Sequence, residues 1–193
     1  MNPKTKQLAV MAMLVALSIV MVATIHFPIF PAAPFLEYDP ADIPILIGAF
    51  AYGPLAGIIL TVVASVIQGV TVSAGSGIYG IVMHIIATST LVLVASGIYR
   101  MKHTRLGAAI GLVAGTLAMG AVMMVANYFI TPHFGVPADV VNAMLLPVIL
   151  PFNLIKAGVN SAITFVVYKA VSRHIIKAEP KEQRNDSPNN SEG

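Results

Sequence analysis

At 193 residues, 57% hydrophobic and 10% charged, the chain carries far fewer charges than the roughly 25% of an ordinary soluble domain. This excludes a water-facing globule and points to lipid. The absence of cysteine excludes disulfides, thiol nucleophiles and cysteine-based metal sites. A formal charge of +3 is too small for a nucleic-acid surface.

A bilayer core about 30 Å thick takes roughly 20 apolar residues per helical crossing. The apolar runs predict an all-α integral membrane protein with helices over about 6–25, 42–53, 55–72, 78–99, 107–130 and 145–173. The first run, Leu8 to Thr24, is long for a signal-peptide core. It ends at His26-Phe27-Pro28 without a small-residue cleavage site, so it reads as a retained helix. Ala12 and Ala16 in it form a small-xxx-small stripe, suited either to internal packing or to docking a second membrane subunit.

The stretch from His26 to Ala41 contains Pro28, Pro31, Pro34 and Pro40, with Pro44 just inside the next helix. Such a stretch is stiff and extended, and is expected to fold over the protein as a lid. Asp39 is expected to cap a helix starting at Pro40, with Asp42 favoured in the first turn by the helix dipole. Glu37, less explained by capping, is left to pair with a cation or touch a ligand.

Ile43 to Val72 is one long apolar run broken at Gly53-Pro54, where proline removes a hydrogen bond and disrupts the helix. Charge placement decides between one span and two, because cytoplasmic loops collect Lys and Arg. Splitting here puts Lys4, Lys6, the Arg100–Arg105 loop, Lys169, Arg173, Lys177 and the tail cations on one side. The expectation is six spans with both termini cytoplasmic, the two short helices being surrounded by protein. Gly107, Gly111 and Gly115 in the fifth helix form a double GxxxG for close helix packing. Residues 178–193 read as a disordered polar tail.

Only Lys156 falls outside the inner-side charges. It lies about 17 Å along its helix from Leu145, where a cation costs at least about 2.5–3.5 kcal/mol. It therefore needs a cavity or a partner. Asn153, Lys156 and Asn160 are spaced i, i+3, i+7 on one face, which suits ligand recognition; the alternative is a structural bridge to an outer-loop acid. Asn127 ends the fifth helix near the same side, and its amide offers donors and an acceptor together. Gln68 and Tyr79 flank the connection Thr71–Ile78 and either line the cavity or sit at the interface.

His84 stands alone in an apolar helix and reads as a packing histidine, because a proton relay needs a partner acid and no span shows a clearly internal one. No metal-ligand spacing, nucleophile elbow or phosphate loop is present. This disfavours an enzyme and an autonomous ATP-driven transporter.

Three blocks carry a resemblance: Pro34-Phe-Leu-Glu-Tyr-Asp-Pro-Ala-Asp-Ile-Pro44, Ile47-Gly-Ala-Phe-Ala-Tyr-Gly-Pro-Leu-Ala-Gly57 and Pro151-Phe-Asn-Leu-Ile-Lys156. Over about residues 6–173 the chain resembles the riboflavin-specific substrate-binding (S) components of energy-coupling factor (ECF) transporters. That resemblance implies a six-helix protein of the prokaryotic plasma membrane. It binds its vitamin near the extracellular side, docks to a transmembrane coupling subunit and two cytoplasmic ATPases, and topples in the bilayer to release substrate inward.

Carried over, Asn127, Asn153 and Lys156 would hydrogen-bond the flavin's polar edge, with Gln68, Tyr79 and Asn160 as further candidates. Leu36, Glu37 and Tyr38 would cover it, and Ala12 and Ala16 would dock the partner. The ligand would be transported riboflavin, with flavin mononucleotide (FMN) left open, and no resident cofactor or metal. The family often has a basic residue in the third helix, where Val66-Ile67-Gln68 stands here. The alternatives are an S component for another vitamin, or a small ion-coupled carrier or channel.

Overall fold

A computed structural model describes residues 2–175, except 32 and 34. The expected disordered tail, 178–193, lies outside the described residues. In chain order the elements are α1 (Pro3–Thr24), β1 (Phe27–Pro28), β2 (Glu37–Tyr38), α2 (Asp42–Tyr52), α3 (Pro54–Val70), α4 (Gly77–Met101), α5 (Arg105–Ile130), α6 (Ala138–Met144) and α7 (Leu150–Ile175). Four helical segments are long and apolar enough to cross a membrane: Pro3–Thr24, Ala74–Met101, Arg105–Phe134 and Ala138–Tyr168. The other two, α2 and α3, are shorter apolar helices.

The run from Ile43 to Val72 does split at Gly53-Pro54. Gly53 adopts φ 95° and ψ 173°, a conformation open essentially to glycine alone. Pro54 then starts α3, where its missing N–H is no loss. Arg100, at the C-terminal end of α4, lies against this turn. The α2–α3 corner therefore shares one end of the bundle with the basic α4–α5 loop.

A helix as short as α2 is tolerated because protein encloses it: Asp42 through Phe50 are all buried, among α1, α3, α4 and α7. Its residues join the main core with Leu60, Leu91, Val92, Leu112 and Met119. The α5 glycines serve internal packing. A Cβ at Gly111 would lie 2.5 Å from the Ala95 carbonyl oxygen, and one at Gly115 2.8 Å from that of Leu91, so α4 and α5 meet backbone to backbone.

Two expectations are corrected. The last helix does not start at 145: helical structure begins at Ala138 and passes through one wide π turn, Leu145–Ile149, into α7. Pro147 and Pro151 each remove an N–H donor, and a π turn inside a helix accommodates such a break. The protein is also not purely helical. The lid closes on itself through a two-residue antiparallel ribbon pairing Phe27 with Tyr38 and Pro28 with Glu37. Ala33 and Leu36 of the lid pack with Val141, Ile149 and Phe152, forming a second apolar cluster with α6, the π turn and the start of α7.

Candidate functional site

The lid is clamped onto α7. Lys156 Nζ donates to Asp39 Oδ2 at 2.7 Å, and both side chains are buried. Asp39 Oδ1 accepts from the Ala41 N–H at 3.1 Å. One turn further along α7, Asn160 Nδ2 donates to the Asp39 carbonyl (3.0 Å) and to Asp42 Oδ2 (2.9 Å). Its Oδ1 accepts from the Tyr38 hydroxyl at 3.0 Å. Burial, then the negative charges of Asp39 and Asp42, push the Tyr38 phenol above its ordinary value, so it stays protonated and keeps donating. The i, i+7 spacing of Asn153 and Asn160 thus resolves into two tasks, the cavity for one and the lid for the other.

Asp39 therefore pairs with Lys156 and is not the helix cap it was expected to be, since α2 starts only at Asp42. Glu37, half-buried, is not the partner of Lys156. Asp42 does more than favour a dipole: fully buried, it accepts from the Thr88 hydroxyl at 2.6 Å and from Asn160, and lies 3.6 Å from His84 Nε2. The expectation that no internal acid faces His84 is overturned. The sequence could not reveal this, because the helix register alone does not say which neighbour lies across from α2.

Behind the clamp lies a cavity of about 670 Å³, within the range of small-molecule sites. The lid contributes Leu36, Glu37 and Asp39; α3 contributes Ser65 and Gln68; α4 contributes Tyr79, Met83 and His84. Met119, Met123 and Asn127 come from α5, and Phe152, Asn153 and Lys156 from α7. Methionines and Phe152 make an apolar wall that can adapt to a flat ligand. Asn127, Asn153 and Lys156 form a polar edge.

The spare hydrogen-bonding capacity of that edge is specific. Asn127 Oδ1 accepts from Tyr79 (3.3 Å) and Thr131 (3.0 Å), and one of its amide hydrogens goes to the Met123 carbonyl. This leaves a single donor. Asn153 Nδ2 donates to the Ile149 carbonyl, across the wide turn, at 2.8 Å. Its Oδ1 accepts no bond among the described residues. Lys156 uses one hydrogen on Asp39 and keeps two. Such an edge presents donors and an acceptor side by side.

Of the nine predicted contact residues, Leu36, Glu37, Gln68, Tyr79, Asn127, Asn153 and Lys156 line the cavity. Tyr38 and Asn160 do not; they bind each other and hold the lid. Residues not anticipated on the wall include Ser65, Met83, Met119 and Met123. A signal for Ser65 existed, since Thr61, Ser65 and Gln68 form a polar i, i+4, i+7 stripe on an otherwise apolar helix. Ala12 and Ala16 are exposed on α1, so internal packing does not account for them.

Three comparisons bear on this architecture. The chain is 31% identical over 179 residues to the riboflavin transporter RibU of Staphylococcus aureus, covering 89% of this chain and 93% of that one. It is 30% identical over 175 residues to the riboflavin transporter FmnP of Bacillus subtilis, covering 86% and 91%. Its fold superposes with a TM-score of 0.76 on a solved S component of a bacterial ECF transporter, at 31% identity over 88% of this chain and 97% of the other. The family model for the ECF transporter substrate-specific component matches residues 6–168, so the chain belongs to that family.

Proposed function

We propose that this protein is the riboflavin-binding S component of an ECF transporter, a multi-pass protein of the bacterial plasma membrane. It captures the vitamin from the outer side and passes it on with a transmembrane coupling subunit and two cytoplasmic ATPases. In this reading six segments cross, α2 and α3 included and α6 to α7 counted as one, and both termini are cytoplasmic. The positions of Lys4, Lys6, Arg100, Lys102 and Arg105 support that orientation.

The observation that carries the reading is the cavity edge. A flavin has a benzenoid end for Met83, Met119, Met123 and Phe152, and a pyrimidine-like edge with alternating donors and acceptors for Asn127, Asn153 and Lys156. Leu36 and Glu37 cover the ligand, and Gln68 and Tyr79 flank it, Tyr79 from beside Asn127. The exposed Ala12–Ala16 stripe on α1 docks the coupling subunit.

Riboflavin is favoured over FMN. Among the described residues the one buried ammonium on the wall is already neutralised by Asp39, and Glu37 adds a negative charge to the same cavity. A phosphate therefore meets no free lysine. Purified protein is expected to be yellow, to gain thermal stability with riboflavin, and to lose bound riboflavin to excess riboflavin more readily than to FMN. A colourless preparation without any riboflavin-dependent thermal shift refutes the assignment.

A further inference from the structure

The contact between His84 and Asp42 lies beyond what flavin recognition requires. His84 Nδ1 is 2.8 Å from Ser65 Oγ, and the same hydroxyl is 2.6 Å from the Thr61 carbonyl. A carbonyl only accepts, so with the Ser65 hydrogen on Thr61 it is Nδ1 that donates to Ser65; turned to Nδ1 instead, that hydrogen would leave two oxygens 2.6 Å apart with nothing between them. On the other side of the ring, Nε2 is sealed from solvent, makes no hydrogen bond among the described residues and faces Asp42 Oδ1 at 3.6 Å. A neutral imidazole with its hydrogen on Nδ1 would turn a lone pair towards a fully buried carboxylate. A second hydrogen on Nε2 turns that repulsion into an ion pair.

Charge balance points the same way. Asp42 on α2 faces His84, and the titratable groups lining the same cavity are Glu37 and Asp39 on the lid, His26 just beyond α1, Tyr79 on α4 and Lys156 on α7; among the described residues α3 and α5 bring no charged group to this cavity. Within the sealed part, Asp39 and Asp42 give two negative charges against the one positive charge of Lys156. A buried uncompensated charge is strongly unfavourable, and a protonated His84 removes it.

The lid senses this balance. Asp42 Oδ2 and the Asp39 carbonyl share the amide of Asn160, which also holds Tyr38. We infer that His84 and Asp42 hold one proton as an imidazolium–carboxylate pair, and that the lid closes over its ligand only while that proton is in place. Without it, Asp42 repels Asp39 and competes for Asn160 and Lys156, and the clamp loosens. Ligand and proton then bind cooperatively, by a reciprocal linkage. Affinity is full while the pair is protonated and falls as rising pH removes the proton. The coupling to ligand, though not the proton itself, rests on the cavity being the substrate site.

The test has two arms. In ligand-free protein labelled at histidine, NMR at pH 7 is expected to show an imidazolium signal from the buried ring paired with Asp42. That signal should vanish in His84→Gln and convert to neutral imidazole in Asp42→Asn. A wild-type His84 that is neutral at pH 7 overturns the proton assignment, and this arm needs no ligand. In the second arm, the riboflavin Kd is measured over the pH range in which free riboflavin absorbance is constant. Kd is expected to rise with pH, approaching about tenfold per unit for one exchanged proton, and to flatten in His84→Gln. Equal slopes in both proteins overturn the coupling. Should riboflavin fail to bind at any pH, the functional reading falls while the histidine resonance still decides the proton.

Discussion

Lys156 and Asp39 meet 2.7 Å apart inside the protein, although 117 positions separate them in the chain. The pair ties the lid to α7 and at the same time puts an ammonium on the cavity wall. Removing one member of a buried ion pair leaves the other uncompensated, at about 3–5 kcal/mol. Lys156→Met is therefore expected to lower the thermal midpoint and abolish riboflavin binding. Adding Asp39→Asn should restore most of the stability but none of the binding. Thermal unfolding and flavin titration of the two single variants and the double variant check this; if the double variant is as unstable as the sum of the singles, the two residues are not coupled.

Asn153 offers the cleanest probe of recognition, because its Oδ1 is unused and its Nδ2 bond to Ile149 is local. Asn153→Leu is expected to weaken riboflavin binding by about 10- to 100-fold, the loss of one or two hydrogen bonds at about 1.4 kcal/mol per tenfold. Asn127→Leu should do the same but also lower the thermal midpoint, because Asn127 Oδ1 receives both Tyr79 and Thr131. Fluorescence quenching of added riboflavin measures both losses of binding, and thermal unfolding separates the two variants.

The α4–α5 seam predicts a stability effect with no direct contact to the site. In Gly111→Ala the new methyl would lie 2.5 Å from the Ala95 carbonyl oxygen, a backbone atom that cannot rotate away. The helices must separate, at about 1–3 kcal/mol. A lower thermal midpoint with near-normal stoichiometry of bound flavin is expected; an unchanged midpoint argues against this seam.

If α1 carries the proposed docking face, docking should be separable from binding. Ala12 and Ala16 are exposed, whereas Met11, Leu14 and Ser18 on the same helix are buried. The double change Ala12→Leu, Ala16→Leu is expected to leave the riboflavin Kd within about twofold. Uptake by cells expressing the coupling module should nevertheless be lost. If uptake survives, the partner meets a different face.

Much of this protein was determined by the sequence alone, where the governing physics is local or one-dimensional. Apolar runs placed α1, α4 and α5 within a few residues, because backbone desolvation in lipid leaves a helix as the only option for a single segment. Gly53-Pro54 marked a break because its backbone chemistry is a property of those two residues. The face shared by Asn153 and Lys156 followed from helical periodicity.

What only the tertiary structure decided were the partners of the charges. Asp39 carried every local sign of a helix cap, and instead it meets a lysine from the far end of the chain. Asp42 looked like a first-turn acid, and the packing of α2 against α4 sets it opposite His84. Asn160 shared a face with two cavity residues and serves the lid. Burial makes such charges seek one another at any separation in sequence, and which ones meet depends on how the helices pack. No periodicity records that. The lone cation singled out by charge placement lies on the wall of the cavity, while its counter-ion became visible only in the folded protein.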